Sequence, residues 1–156
     1  MGQLLRRENV ADFVKKLHQS GKTVVVTNGC FDILHVGHVR YLQKTKSFAD
    51  YMIVLLNSDK SVRSIKGPTR PINNEQDRAE VLNALACVDY VVMFDEDSPA
   101  SLIDEIKPDV YTKGADYTME TLPEADIMRK NNIKVEFIEF VAGKSTTNTI
   151  NKMKES

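Results

Sequence analysis

The stretch Thr23-Val24-Val25-Val26-Thr27-Asn28-Gly29-Cys30-Phe31-Asp32-Ile33-Leu34-His35-Val36-Gly37-His38 decides the fold. Its first five residues are all β-branched and too few for a helix, so they form a buried strand. The strand ends at Thr27, Gly29 permits close approach to the backbone, and a helix begins near His35. A helix start offers free N–H donors and a partial positive charge, which suits a phosphate. His35 and His38 are three apart, so both imidazoles share one side of the first turn and can reach the same anion. Gly37 between them leaves room for a polyphosphate to lie against the backbone. A pair making ordinary hydrogen bonds is the bland alternative. Zinc is another rival, with Cys30 and Asp32 nearby, although the spacing matches none of the usual structural patterns.

Outward from this stretch, helical and strand patterns alternate. Upstream, Asn9 can cap a helix whose Val10, Phe13, Val14 and Leu17 recur at helical spacing, stopped by Gly21. Downstream, a helix from about Val36 to Phe48 leads to the apolar strand Tyr51 to Leu56. Asn73, with Gln76 three residues on, can cap a helix carrying Ala79, Leu82, Leu85 and Ala86 on one side. Tyr90 to Phe94 is a third strand, Ser98-Pro99 starts a helix, and Asp109 to Thr112 is a fourth strand. Thr121 to Lys130 reads as a helix, Lys134 to Phe140 as a fifth strand, and Ser145 or Thr146 opens a closing helix. This alternation specifies an α/β fold: an open, parallel, five-stranded Rossmann-like sheet with helices on both faces. Such sheets bind ligands beyond the carboxyl ends of the strands, where the strand order reverses. Chemistry is therefore expected just after Thr27, Leu56, Thr112 and Phe140.

Length and composition fit one domain spanning 1–156. The 156 residues are 42% hydrophobic and 28% charged, with no repeat, low-complexity tract or linker. The longest apolar runs, Met52–Leu56 and Tyr90–Phe94, are about a quarter of the roughly 20 residues that span a bilayer. Met1-Gly2-Gln3-Leu4-Leu5-Arg6-Arg7 turns polar too soon for a secretory signal, and Arg6 breaks a myristoylation motif. Two cysteines, Cys30 and Cys87, make no disulfide framework, so a cytoplasmic location is expected. A net charge of −1, from 21 basic and 22 acidic residues, argues against a broad nucleic-acid or membrane footprint. Neither partner is expected.

Two other segments stand out. Lys60, Arg63, Lys66 and Arg70 crowd the loop after the second strand, which suggests an anion pocket, although a solvated stretch is the usual fate of such charges. Near the end, Gly143-Lys144-Ser145 echoes a P-loop, but that motif needs a glycine at position 138, where Ile138 stands. The segment reads better as a helix start whose Ser145, Thr146 and Thr147 hold outer phosphates, against a plain capping run.

The His-x-Gly-His element, after a strand and the turn Gly29-Cys30-Phe31-Asp32, resembles the cytidylyltransferase-like nucleotidyltransferases. Three further segments carry the resemblance through the chain. They are Asn57-Ser58-Asp59 with Arg63, Lys66-Gly67 and Arg70-Pro71; Lys113-Gly114-Ala115-Asp116-Tyr117; and Gly143-Lys144-Ser145-Thr146-Thr147-Asn148-Thr149-Ile150. Within that family the likeness is to the adenylyltransferases of ADP-heptose synthesis, often half of a bifunctional kinase/transferase and here expected to stand alone. Ala115 departs from the Gly-Gly-Asp-Tyr common there.

The resemblance implies transfer of AMP from ATP, carried with Mg²⁺, to D-glycero-β-D-manno-heptose 1-phosphate. It implies that His35, His38 and Lys66 are catalytic. Nucleotide contacts would come from Asn28, Gly29, Cys30, Phe31, His35 and His38, from Lys113, Gly114 and Asp116, and from Ser145, Thr146 and Thr147. Sugar-phosphate contacts would come from Asp32, Asn57, Asp59, Arg63, Lys66 and Arg70. No residue is implied as a direct metal ligand, and a homodimer or higher homo-oligomer is expected. A CTP-dependent cytidylyltransferase acting on a polyol or amino-alcohol phosphate is the nearest alternative. A non-catalytic nucleotide-binding module is a remoter one.

Overall fold

The structure, a computed structural model, describes residues 2–139. In chain order the elements are β1 (Gln3–Leu5), α1 (Arg7–Gln19), β2 (Val24–Gly29), α2 (Val36–Lys46), β3 (Tyr51–Asn57) and α3 (Asp59–Lys66). Then come α4 (Glu75–Asn83), β4 (Tyr90–Phe94), α5 (Ala100–Ile106), β5 (Val110–Gly114), α6 (Ala125–Lys130) and β6 (Lys134–Ile138). The strands form one sheet in the order β1-β4-β3-β2-β5-β6, every pair parallel. Strand alternation sends successive side chains to opposite faces. On one face Val24, Val26, Ile53, Leu55 and Tyr111 pack under α1, α5 and α6. On the other, Val25, Met52, Val54 and Leu56 pack under Tyr41 and Leu42 of α2 and Ala79 and Leu82 of α4. Burial on both faces explains the continuous apolar strands.

Several local expectations needed revision. The sheet has six strands rather than five: β1, too short and exposed to show a pattern, pairs at the edge with β4 from Gln3↔Tyr90 to Leu5↔Val92. Its existence depends on a partner distant in sequence. The basic stretch after β3 is the helix α3, capped by Ser58, whose Oγ accepts from the Ser61 N–H at 3.2 Å. Helix α1 begins at Arg7, before Asn9, without a side-chain cap. Asn74, and not Asn73, caps α4 by accepting from the Asp77 N–H at 2.9 Å. Helix α6 starts at Ala125 instead of Thr121, because Thr118 to Leu122 closes a turn through the Leu122 N–H to Thr118 carbonyl bond at 2.8 Å. Strand β6 runs Lys134–Ile138; Phe140 and the closing helix expected at Ser145 or Thr146 lie outside the described residues.

The strand order reverses beside β2. That strand follows β3 over six residues but pairs with β5 only at Val25↔Val110 and Val26↔Tyr111. Beyond that point the two strands part, and buried hydroxyls replace the missing ladder bonds. Thr27 Oγ1 donates to the Thr112 carbonyl at 3.2 Å, and the Tyr41 hydroxyl lies 2.9 Å from Thr27 Oγ1 and 3.3 Å from Thr112 Oγ1. Thr45 Oγ1 completes the set at 2.9 Å from Thr112 Oγ1. The Tyr111 hydroxyl donates to Asn28 Oδ1. Buried polar groups are rarely left unpaired, and here their pairing ties the diverging strand ends to each other and to α2. The gap is the crevice where such sheets bind ligands.

Candidate active site

The turn from β2 to α2 is tightly built. A Cβ at Gly29 would stand 2.8 Å from Phe31 Cε2, so that position has no room for a side chain. Phe31 adopts a φ of 46° and packs its ring edge-on to His38, with centroids 5.7 Å apart. Asp32 is 3% exposed. Its carboxylate accepts from the N–H groups of Ile72 and Asn73, each at 2.8 Å, and from Arg70 Nε at 3.1 Å. Its carbonyl accepts from Asn73 Nδ2 at 2.7 Å. Burial alone would raise the Asp32 carboxyl, but the Asn73 and Ile72 N–H groups and the Arg70 guanidinium outweigh it and hold the group below the usual carboxylate range. Asp32, expected to meet substrate, therefore has its oxygens occupied: it clamps segment 70–73 over the turn.

His35 and His38 share a reciprocal cap at the start of α2. His35 Nδ1 accepts from the Gly37 N–H at 3.0 Å, and His38 Nδ1 accepts from the His35 N–H at 3.3 Å. With both Nδ1 atoms accepting, each neutral ring carries its proton on Nε2 and presents a donor there. The ring centroids are 4.1 Å apart. Burial, then His35 and Lys66, push His38 down to about 4. His38 is thus a neutral donor at physiological pH, until an anion arrives to favour its charged form.

Two lobes make up the crevice and share Asn28, Gly29, Cys30, Lys66, Lys113 and Tyr117. The first, about 240 Å³, adds Phe31, Asp32, His38, Tyr41, Arg70, Gly114 and Asp116. Arg70 Nη2 is buried there with no partner among the described residues, a donor suited to an anion. Lys113 Nζ sits 5.0 Å from the centre of the Tyr117 ring, which aims the charge along the seam. Burial pushes the Cys30 thiol up, against the lowering by Lys66, Arg78 and Arg70. A protonated thiol is a poor nucleophile. The second lobe, about 490 Å³, adds Asn57, Ile65, Asp97, Ser98, Pro99, Pro123 and Glu124.

Sequence-expected residues from the ends of β2, α2, α3 and β5 thus meet in one place. Others do not: His35, at the cap of α2, and exposed Arg63, on α3, line neither lobe. Asp59 lines neither lobe, its Oδ1 accepting from Arg78 Nη2 at 2.8 Å, whereas Asn57 lines the second lobe with its Nδ2 donating to Ser61 Oγ at 2.9 Å. Ser145, Thr146 and Thr147 lie outside the described residues. The sequence reading passed over Arg78, which is 2% exposed and donates to the carbonyls of Asn73, Cys30 and Asn57 at 3.0, 2.8 and 2.7 Å. Its signal was a charge on the apolar side of α4, one residue from Ala79 and four from Leu82. Tyr41 and Glu124 carry no such signal, and only the fold brings them to the crevice, where Tyr117 of the segment Lys113 to Tyr117 also stands.

A family profile described as cytidylyltransferase-like matches residues 26–152. The chain belongs to the cytidylyltransferase-like family. As a member it is a nucleotidyltransferase, and its parallel sheet is the family's Rossmann-like fold. It is 52% identical to "Bifunctional protein HldE" of Syntrophotalea carbinolica over 94% of this chain and 30% of that protein. The HldE of Campylobacter fetus subsp. fetus is also 52% identical, over 92% of this chain and 30% of that one. The chain therefore spans about 30% of the length of these curated relatives. Among solved structures, a lipopolysaccharide core biosynthesis protein from Thermoplasma volcanium superposes with a TM-score of 0.62 and 31% identity. That match covers 78% of this chain and 98% of the other. No helix among the described residues of this cytidylyltransferase-like chain is long and apolar enough to cross a membrane.

Proposed function

We propose that the chain transfers AMP from ATP to D-glycero-β-D-manno-heptose 1-phosphate, releasing pyrophosphate and giving ADP-heptose for lipopolysaccharide-core synthesis. The observation that carries this reading is the convergence of His38, Lys66, Arg70 and Lys113 on a cavity at the strand-order switch. The 52% identity to a bifunctional protein HldE and the likeness to a lipopolysaccharide core biosynthesis protein support this choice of acceptor.

An acceptor phosphate oxygen attacks the α-phosphorus in line, a new P–O bond forms, and the bond to the β-phosphate oxygen breaks. The transition state needs positioning and charge neutralisation more than covalent help. His38 and His35 donate from Nε2 to phosphoryl oxygens, and Lys66 grips the phosphates at the seam. Arg70 Nη2 supplies a further donor, aligned because Asp32 holds Nε of the same guanidinium. Asn28 to Phe31, with Lys113, Gly114 and Asp116, contact the nucleotide; Ser145 to Thr147 are assigned its outer phosphates. The acceptor phosphate is ionised at neutral pH and needs no general base. Mg²⁺ enters with the triphosphate as part of the substrate, where it neutralises phosphate charge. Among the described residues there is no group of three or more His, Cys, Asp or Glu that could hold a metal ion.

The test is pyrophosphate release across a matrix of nucleoside triphosphates against sugar 1-phosphates and alcohol phosphates. ATP with the heptose 1-phosphate is expected to give the highest kcat/KM. A preference for CTP with a polyol or amino-alcohol phosphate would overturn the assignment, as would nucleotide binding without turnover.

A further inference from the structure

The second lobe has an oddity that the phosphate chemistry does not use. Glu124, the residue before α6, is 4% exposed and lines this cavity, yet its Oε2 has no hydrogen-bond partner among the described residues. A buried oxygen without a donor costs stability, and such departures from polar satisfaction concentrate where a ligand completes the set. The ligand group that would complete it is an N–H or O–H donor. A phosphate is excluded, since it brings only acceptors and negative charge against a carboxyl group with Asp97 on the same lobe. Ser98 adds a hydroxyl on the wall, and its Oγ already accepts from the Ala100 N–H at 3.1 Å, so its own hydrogen is left to donate.

In-line geometry says which substrate arrives here, given the adenylyl transfer proposed above. In the transfer proposed above the departing pyrophosphate is taken toward the donor His38, which lines only the first lobe. The attacking phosphate must approach from the opposite side, across the seam at Lys66 and Lys113 that both lobes share. The body attached to that phosphate then extends into the second lobe. At about 490 Å³ it falls within the usual 300–1,000 Å³ of small-molecule sites and is roomier than the first.

We infer that the second lobe is the acceptor's polyol subsite, in which Glu124 Oε2 accepts a hydrogen bond from a sugar hydroxyl. The carboxyl group selects for a hydroxyl-rich phosphate over a plain alkyl phosphate, because a site built to pair a hydroxyl rejects the analogue lacking it.

The experiment compares wild type with Glu124→Met and Glu124→Gln in steady-state kinetics with ATP and the sugar 1-phosphate, alongside thermal melting. Glu124→Met should raise the acceptor KM about 10- to 100-fold, the loss of a hydrogen bond to a charged or buried group. The KM for ATP should stay within about twofold, and Tm should hold or rise, because the unpartnered oxygen is gone. Glu124→Gln keeps the shape and one acceptor and should show a smaller rise in the acceptor KM. Deoxy analogues identify the hydroxyl: the one whose removal weakens wild type should cost Glu124→Met nothing further. The proposal is overturned if the ATP KM rises in place of the acceptor's. It is equally overturned if both variants melt lower with unchanged KM values, which is the pattern of a structural carboxyl. Should wild type use another polyol phosphate in place of the heptose, only the functional reading fails, and the same KM comparison on that acceptor decides Glu124.

Discussion

Replacing Arg78 by Met tests the claim that one buried guanidinium holds the site together. Its Nε, Nη1 and Nη2 donate to the carbonyls of Asn73, Cys30 and Asn57 and to Asp59 Oδ1, all between 2.7 and 3.0 Å. These acceptors belong to four segments: the turn after β2, the end of β3, the start of α3 and the lead into α4. Met fills similar space but leaves three carbonyls and a carboxylate without that donor. Asn57 is 3% exposed and cannot be rescued by water, whereas the Asp59 side chain, 24% exposed, can. The cost is therefore well below four full desolvation penalties and near the 3–5 kcal/mol typical of breaking one buried charged pair. At roughly 2–4 °C per kcal/mol for a chain of this size, Tm should fall by about 6–20 °C. With an m-value of roughly 1–3 kcal/mol/M, the urea midpoint should drop by about 1 M or more. Arg78→Lys keeps the charge but not the planar fork, and should lose about half as much. Urea denaturation of the three proteins followed by circular dichroism decides it. A Met variant within about 0.3 M of the wild-type midpoint would refute the reasoning, at the m-value cited.

The paired histidines should separate chemistry from folding. His35→Ala and His38→Ala are each expected to lower kcat by about 10²-fold or more, the scale for a lost transition-state donor. Each also breaks the cap of α2 and should cost only about 1 kcal/mol of stability; near-normal turnover in both variants would end the assignment. The His38 ring should titrate near 4 in the free protein when followed by NMR. Because its folded value lies below the ordinary 6.5, the unfolded chain binds more protons between those values, and this group withdraws stability as pH falls from about 6.5 to about 4. ATP should move the midpoint up, and Lys66→Ala should do so by removing a repulsive charge; a midpoint at 6.5 in the free protein would contradict the burial argument.

Much of this molecule could be read locally. The all-β-branched run Thr23 to Thr27 and the continuous apolar run Tyr90 to Phe94 identified strands buried on both faces, because parallel strands need no polar alternation. His35, Gly37 and His38 announced a helix start able to present two donors, since residues three apart share a helix face. What failed locally failed for physical reasons. β1 exists only through β4, the stretch Lys60 to Lys66 read as a loop is a helix capped by Ser58, and Asp32 lost its free oxygens to a segment forty residues on. Arg78 and Glu124 acquire their meaning from neighbours that no spacing rule connects. Sequence periodicity therefore determined the layers and the parallel sheet, and the strand order that places the switch point came from the structure. Which buried polar atoms are satisfied and which are left for a ligand was decided by the tertiary structure alone, because hydrogen-bond partners are set by distance in space and not along the chain.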